Sequence, residues 1–285
     1  MTGDAEIVEM GPRDGLQNEP QLISVSAKIA LIDCLSRAGF RRIEVASFVS
    51  PKWVPQMADS DRVLAGLHRS PGVRYAALTP NLRGYLAAKA AGADEVAVFA
   101  SATEGFSRAN LNCSIDDSLE RFSAVFRAAK SDNMKVRGYV SVVTDCPYEG
   151  AVAPHAVARV VAALRDLGCY EISLGDTIGQ GRPESVDRML DAVLEVLPAS
   201  QLAGHFHDTV GRALDNIEAS LARGLRVFDA SVGGLGGCPY APGSKGNVAT
   251  EAVAARLAGL GYETGLEPEI LAEAAKMARA LQKSG

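Results

Sequence analysis

Glu6-Ile7-Val8-Glu9-Met10-Gly11-Pro12-Arg13-Asp14-Gly15-Leu16-Gln17-Asn18-Glu19 is the stretch on which the fold turns. It begins as a short apolar, strand-like run and passes straight into a turn that lacks Gly-x-Gly-x-x-Gly spacing. A doubly wound sheet that binds a dinucleotide carries that fingerprint after its first strand. Its absence counts because the rest of the chain has a rhythm that either architecture would produce.

Seven more strand-like runs follow, at Arg42–Ser47, Val73–Thr79, Glu95–Ser101, Lys135–Val143, Tyr170–Leu174, Leu202–His207 and Val227–Val232. Ala- and Leu-rich stretches of helical spacing separate them: Ser24–Ala38, Ser60–His68, Asn81–Ala91, Ile115–Ser131, Pro154–Leu167, Pro183–Leu197 and Ala213–Arg223, with Val248–Leu260 after the last strand. Gly39, Gly92, Gly168 and Gly224 fall just past helix ends, where a left-handed cap favours glycine. Ser114-Ile115-Asp116-Asp117 and Pro183-Glu184 read as helix starts. Eight strand–helix units in about 250 residues predict a (β/α)8 TIM barrel of the α/β class. The reading is one catalytic domain over residues 1–285, with 261–285 as a C-terminal helical extension whose helix is Glu267–Gln282.

The 285 residues carry 29 basic and 34 acidic side chains, and the net charge of −5 argues against nucleic acid or an anionic membrane as the main partner. No apolar run approaches the ~20 residues that span a bilayer, and the first residues lack a signal peptide's basic and apolar regions. Five scattered cysteines, with no Cys-x-x-Cys pair, fit a reducing compartment and a cytoplasmic protein.

Active sites of such barrels lie at the carboxyl ends of the strands. Arg13 and Asp14 sit between glycines just after the first strand; read alone, they are equally a solvated turn with a surface ion pair. His205-Phe206-His207-Asp208 ends the seventh, and residues i and i+2 of a strand face one side. Two imidazoles on one face suit a divalent cation once a carboxylate joins them; Asp208 points the other way, toward a cap. Gly233 to Asn247 holds six glycines together with Cys238, Tyr240 and two prolines, which predicts a lid bearing a reactive thiol. Glu44, inside a strand, needs a partner such as Arg13 or a metal ligand, with structural ion pairing as the alternative. Asp176, following the sixth strand, and Tyr139, on the fifth, complete the candidates.

Long strings in the same order make the chain resemble the 3-hydroxy-3-methylglutaryl-CoA lyases. They are Val8 to Glu19, Ser47 to Met57, Leu78 to Leu82, Asn110 to Ser114, Cys146 to Gly150, Tyr170 to Thr177 and the Cys238 to Gly243 segment. Condensing enzymes of the same superfamily share Arg-Asp and His-x-His but differ after Arg-Asp-Gly and after the eighth strand. The resemblance implies a carbon–carbon lyase that cleaves (S)-3-hydroxy-3-methylglutaryl-CoA (HMG-CoA) to acetyl-CoA and acetoacetate, in leucine degradation. It implies Mg2+ or Mn2+ held by Asp14, His205, His207 and Asn247. Arg13, Cys238, Glu44 and Asp176 are the implied catalytic residues, with Arg13, Gln17, Asn110 and Tyr139 as substrate contacts. An acyl-CoA partner and a homodimer complete what the resemblance implies, while the lack of a transit peptide and of a peroxisomal tripeptide differs from the organellar members and suits the expectation of a bacterial cytoplasmic enzyme. A related 3-hydroxyacyl-CoA, such as citramalyl-CoA, is the alternative substrate, and a condensing reaction the alternative activity.

Overall fold

The structure, a computed structural model, describes residues 3–238 and 241–283, apart from the side chains of 237, 238, 241–245 and 283. Eight parallel strands close into a barrel: β1 (Glu6–Glu9), β2 (Arg42–Ser47), β3 (Arg74–Leu78), β4 (Glu95–Ser101), β5 (Lys135–Ser141), β6 (Glu171–Asp176), β7 (Leu202–Phe206) and β8 (Val227–Ala230). Each pairs with the next in sequence, and β8 closes on β1 through Phe228 opposite Ile7 and Asp229 opposite Val8. The (β/α)8 expectation therefore holds.

The surrounding helices are α1 (Val25–Ser36), α2 (Ser60–Gly66), α3 (Leu82–Ala90), α4 (Glu104–Leu111), α5 (Ile115–Asp132), α6 (Pro154–Leu167), α7 (Pro183–Leu194), α8 (Ala213–Ala222), α9 (Thr250–Gly259) and α10 (Pro268–Lys283). Their starts follow local chemistry. Ser24, Asn81 and Ser114 each accept a backbone N–H in the first turn, and Ser114 forms a capping box with Asp117. Gly39, Gly92, Gly168 and Gly224 all take positive φ between helix and strand. The main apolar core fills the layer between strands and helices, with Ile7, Ile43, Val96, Val140, Ile172 and Phe228 facing it.

Three differences from the sequence reading have local causes. Helix α4 was not expected: eight residues containing Gly105 and Asn110 give little periodic signal, and the Thr103 cap sets it. β5 stops at Ser141 because Val142 turns into the left-handed region, φ 56°, with its N–H bound by Thr177 Oγ1 at 2.8 Å. The backbone of Gly237–Cys238 pairs antiparallel with Ala241–Lys245, so part of the glycine-rich segment is a short ribbon.

Helix α10 packs on α1, and the chain leading to it is tied to the α1–β2 turn by Glu267 N–H donating to the Ala38 carbonyl at 2.9 Å. Gly39 permits that approach. At φ +94° a Cβ on it would stand 2.2 Å from the Gly265 carbonyl oxygen, whereas Gly72, at φ +85°, has nothing within 4 Å of its Cβ position. Gly72→Ala therefore meets only the left-handed penalty of about 1–2 kcal/mol. Gly39→Ala meets that and a backbone collision, and paired thermal melts should show its Tm falling several degrees further. Equal shifts would mean that the segment before α10 moves aside at no cost.

Candidate active site

The β1 segment leaves the sheet as one wide helical turn over Gly11–Gly15, in which Gly15 N–H reaches back five residues to the Met10 carbonyl at 3.1 Å. Such turns are rare and recur at functional sites. Here Glu9, wholly buried, holds it: one carboxylate oxygen accepts Gly11 N–H (2.7 Å) and Val232 N–H (2.9 Å), and the other accepts the Thr250 hydroxyl (2.7 Å). The turn thereby locks to the segment after β8. Its geometry drives Arg13 inward, where Nε pairs with Glu44 and Nη1 with Asp14. The expectation that Glu44 needs Arg13 as partner is met. Arg13 Nη2 donates no hydrogen bond to a described residue, and it belongs to a guanidinium lying 5.8 Å from the Tyr139 ring centroid.

Asp14, His205 and His207 converge across the mouth of the barrel. Their candidate ligand atoms all lie within 4.8 Å of one another, the one such trio of His, Cys, Asp or Glu found among the described residues. Asp14 Oδ2 stands 3.8 Å from His205 Nε2 and 3.9 Å from His207 Nε2. Those separations are too long for hydrogen bonds and short enough for one shared cation. Gln17 Nε2 donates to Asp14 Oδ1 at 2.9 Å, and Asn247 Nδ2 donates to Oδ2 at 2.7 Å. Asn247 reaches this place through a backbone bridge to His207, and it presents its amide nitrogen, not its oxygen, to Asp14.

The electrostatics suit a cation. Burial would raise the Asp14 carboxyl, but Arg13, the two histidines and Asn247 outweigh it and bring it down to about 2. Burial, with His205 alongside, lowers His207 to about 4, so its ring is neutral with a lone pair at pH 7. Its Nδ1 is buried without a hydrogen-bond partner. For His205, the bond and charge of Asp229 overcome burial and raise it. Around and beneath the site three guanidiniums, Arg13, Arg42 and Arg137, contact five carboxylates, Glu6, Asp14, Glu44, Glu171 and Asp229. That excess of negative charge, the neutral imidazole and the mixed nitrogen and oxygen donors fit a divalent ion.

A cavity of about 760 Å³ opens over this group, lined by Arg13, Asp14, Gln17, Asn110, Tyr139, His205 and His207 among others. Asn110 belongs to the last turn of α4, and Arg108 beside it also faces the cavity. The structure thus brings together every predicted metal residue and the four predicted substrate contacts. Asp176 stands apart. It is the last residue of β6, which runs two residues past the expected end at Leu174, and it is absent from the lining. Its carboxylate accepts the Thr144 hydroxyl and Gly181 N–H, each at 3.0 Å, and burial raises it to about 6. In this structure Asp176 holds the β6 loop, and the assistance to proton transfer implied for it by the resemblance remains a proposal. The side chain of Cys238 lies outside the described residues. Asp208 Oδ1 accepts Ala213 N–H at the start of α8 (3.2 Å), the expected cap.

Sequence reasoning missed Asp229, Arg137, Ser173 and Glu9. Asp229 Oδ2 meets His205 Nδ1 at 3.2 Å and accepts the Ser173 hydroxyl at 2.7 Å, while Asp229 Oδ1 pairs with Arg137 Nη2 at 2.8 Å. A signal was there: Arg137 and Tyr139, like Glu171 and Ser173, are polar residues two apart in otherwise apolar runs.

The candidate cation trio and the inward guanidinium thus lie at the carboxyl end of a closed (β/α)8 barrel, the end at which such barrels hold their active sites. The chain belongs to the HMGL-like family, whose model matches residues 4–278. It is 58% identical over 94% of its length to the hydroxymethylglutaryl-CoA lyase of Pseudomonas mevalonii, covering 89% of that protein. At the same identity and coverage it matches the 3-hydroxy-3-isohexenylglutaryl-CoA/hydroxy-methylglutaryl-CoA lyase of Pseudomonas aeruginosa. The crystal structure of the HMG-CoA lyase from Brucella melitensis superposes with a TM-score of 0.98 at 60% identity, covering 99% of both chains.

If the trio binds a cation, Asp14→Ala and His207→Ala should each weaken Mn2+ binding at least tenfold, read from free Mn2+ by electron paramagnetic resonance. Affinities equal to the parent's would place the cation elsewhere.

Proposed function

We propose that this chain cleaves HMG-CoA to acetyl-CoA and acetoacetate by a retro-Claisen reaction. The observation that carries the reading is the meeting in one cavity of the Asp14, His205 and His207 trio with Arg13, whose Nη2 donates to none of the described residues. The relatives' names and high identity support the substrate, and they favour neither citramalyl-CoA nor a condensing reaction.

The reaction must take a proton from the tertiary C3 hydroxyl, break C2–C3 so that C3 becomes the ketone of acetoacetate, and protonate C2 of the released thioester enolate. A bound Mg2+ or Mn2+ would acidify the hydroxyl and fix it beside the substrate carboxylate. Asp14, His205 and His207 are the residues to hold that ion, with Asn247 as a further ligand once its amide oxygen is turned inward. Arg13 serves the other end of the bond. Glu44 and Asp14 hold its guanidinium by two nitrogens, leaving the third for the thioester oxygen as negative charge grows there. Losing such a donor typically costs about 3–4 kcal/mol of transition-state stabilisation. Gln17 acts mainly through Asp14, which it holds from the cavity side.

Proton transfer needs another group. Among the described cavity side chains, arginines do not titrate near neutrality, burial keeps the Tyr139 phenol protonated, and Asp14 and the histidines are committed as ligands. Cys238, on the ribbon after β8, is the thiol the resemblance offers for this step. Asn110 and Arg108 suit the phosphate-bearing end of the acyl-CoA. A homodimer belongs to the same reading.

Acetyl-CoA release from HMG-CoA should require Mg2+ or Mn2+ and stop with chelator. Citramalyl-CoA and 3-hydroxy-3-isohexenylglutaryl-CoA assayed in parallel should be the poorer substrates, and preference for either would reassign the acyl group. Cys238→Ala should lower turnover by orders of magnitude while Mn2+ titration stays at the parent value; near-parent turnover would remove the thiol from the reaction.

A further inference from the structure

The two halves of the site are joined beneath its floor. His205 Nδ1 meets Asp229 Oδ2 at 3.2 Å, and Asp229 Oδ1 meets Arg137 Nη2 at 2.8 Å. The same guanidinium donates through Nη1 to the Tyr139 hydroxyl at 2.9 Å. Tyr139 in turn donates to Glu44 Oε2 at 2.9 Å, and the other oxygen of Glu44 holds Arg13 Nε. Arg137 is itself fixed from below, since its Nε donates to Glu171 Oε1 at 2.7 Å and Arg42 clamps the same carboxylate. Every member of the chain from His205 to Arg13 is buried.

We propose that Arg137 and Asp229 are positioning residues that set, from one buried guanidinium, both the tautomer of the cation ligand His205 and the aim of Arg13. A carboxylate at Nδ1 keeps the ring proton there and leaves the lone pair on Nε2, the nitrogen that faces Asp14. The Ser173 hydroxyl, 2.7 Å from the same Asp229 oxygen, holds the carboxylate in line. His207 has no such support among the described residues, where its buried Nδ1 finds no hydrogen-bond partner. His205 is therefore the ligand whose orientation is built in. On the other side, Tyr139 can orient Glu44 only because Arg137 occupies the phenol oxygen as donor, which directs the phenol proton to the carboxylate.

The inference rests on the cation site proposed above, and metal binding measured without substrate separates the two. Asp229→Asn replaces an acceptor by an amide that can donate to Nδ1, which moves the ring proton to Nε2. Mn2+ affinity should fall 10- to 100-fold. Ser173→Ala, a milder change that keeps the charge, should weaken Mn2+ by a few-fold. Arg137→Lys cannot reach both partners with one planar fork; at saturating Mn2+ its kcat should fall at least tenfold, with Mn2+ affinity also reduced. Ring 15N chemical shifts of His205 in the cation-free protein should report an Nδ1–H tautomer in the parent and its loss in Asp229→Asn. Parent-like Mn2+ affinity in folded Asp229→Asn or, if that variant does not fold, in Ser173→Ala would overturn the proposal. So would an Arg137→Lys protein with both parameters intact. If the parent itself binds no Mn2+, the cation-site reading falls instead.

Discussion

Arg137 is the group on which the barrel interior depends. A guanidinium cannot shed its proton to escape burial, and its donors leave it in a fixed plane. Inside a closed barrel it must therefore be met by partners around it: Glu171 on the neighbouring β6, Asp229 on β8 across the interior and the Tyr139 phenol on its own strand β5. Each acceptor is then committed in direction, and what it does with its remaining atoms is fixed in turn. Buried ion pairs of this kind are often no more stabilising than well-packed apolar residues. Their value here is directional, because a leucine in place of Asp229 would fill the space and orient nothing.

The second constraint ties distant segments into one rim. Asp14 and Asn247 meet at 2.7 Å although 233 residues separate them. Glu9 makes this possible, because one buried carboxylate serves the turn after β1, the turn after β8 and the first residue of α9. Burial pushes that carboxyl up to about 7 against three donated hydrogen bonds. The loop beyond Gln17 is anchored too: Gln56 takes Ile23 N–H and donates to the Gln21 carbonyl, while Lys28 donates to the Gln56 carbonyl. The rim that carries the ligands is thus held by side chains aimed at backbone, which fixes a loop without making it part of a sheet.

Much of this was legible in the chain, for identifiable reasons. Alternation and helix caps are local, so eight strands and nine of the ten helices lie where the pattern put them. His205 and His207 face one way because i and i+2 on a strand always do. Glu44 demanded a partner by its own burial, and Arg13 stood ready after the preceding strand. Asp229 could not be read in this way. It sits in Val227-Phe228-Asp229-Ala230 with no local partner, and its meaning depends on His205 of the adjacent β7 and Ser173 of β6, one strand further round the barrel. Asp176 shows the converse. It looks like a rim residue in sequence, yet β6 runs two residues further than its apolar pattern, which turns the side chain to the loop. Val142 at positive φ could not have been foreseen, because a β-branched residue there contradicts every local preference.

The division of labour between cation and guanidinium follows from where each is held. The trio lies on β7 and the β1 turn, with its anionic member already drawn down by Arg13. Arg13 is shared between Asp14 and Glu44, so the guanidinium proposed to stabilise a departing enolate also holds the carboxylate proposed to bind the cation. A rigid donor of this kind needs no reorganisation when charge appears, which is where such sites obtain most of their advantage over water. The sharing has a consequence for substitutions as well: a change at Arg13 also frees Asp14, so loss of turnover and loss of cation affinity arrive together. Glu44 offers the cleaner separation. It touches Arg13 and Tyr139 but neither histidine, so its removal loosens the enolate end while leaving Asp14 with Gln17, Asn247 and Nη1 of Arg13.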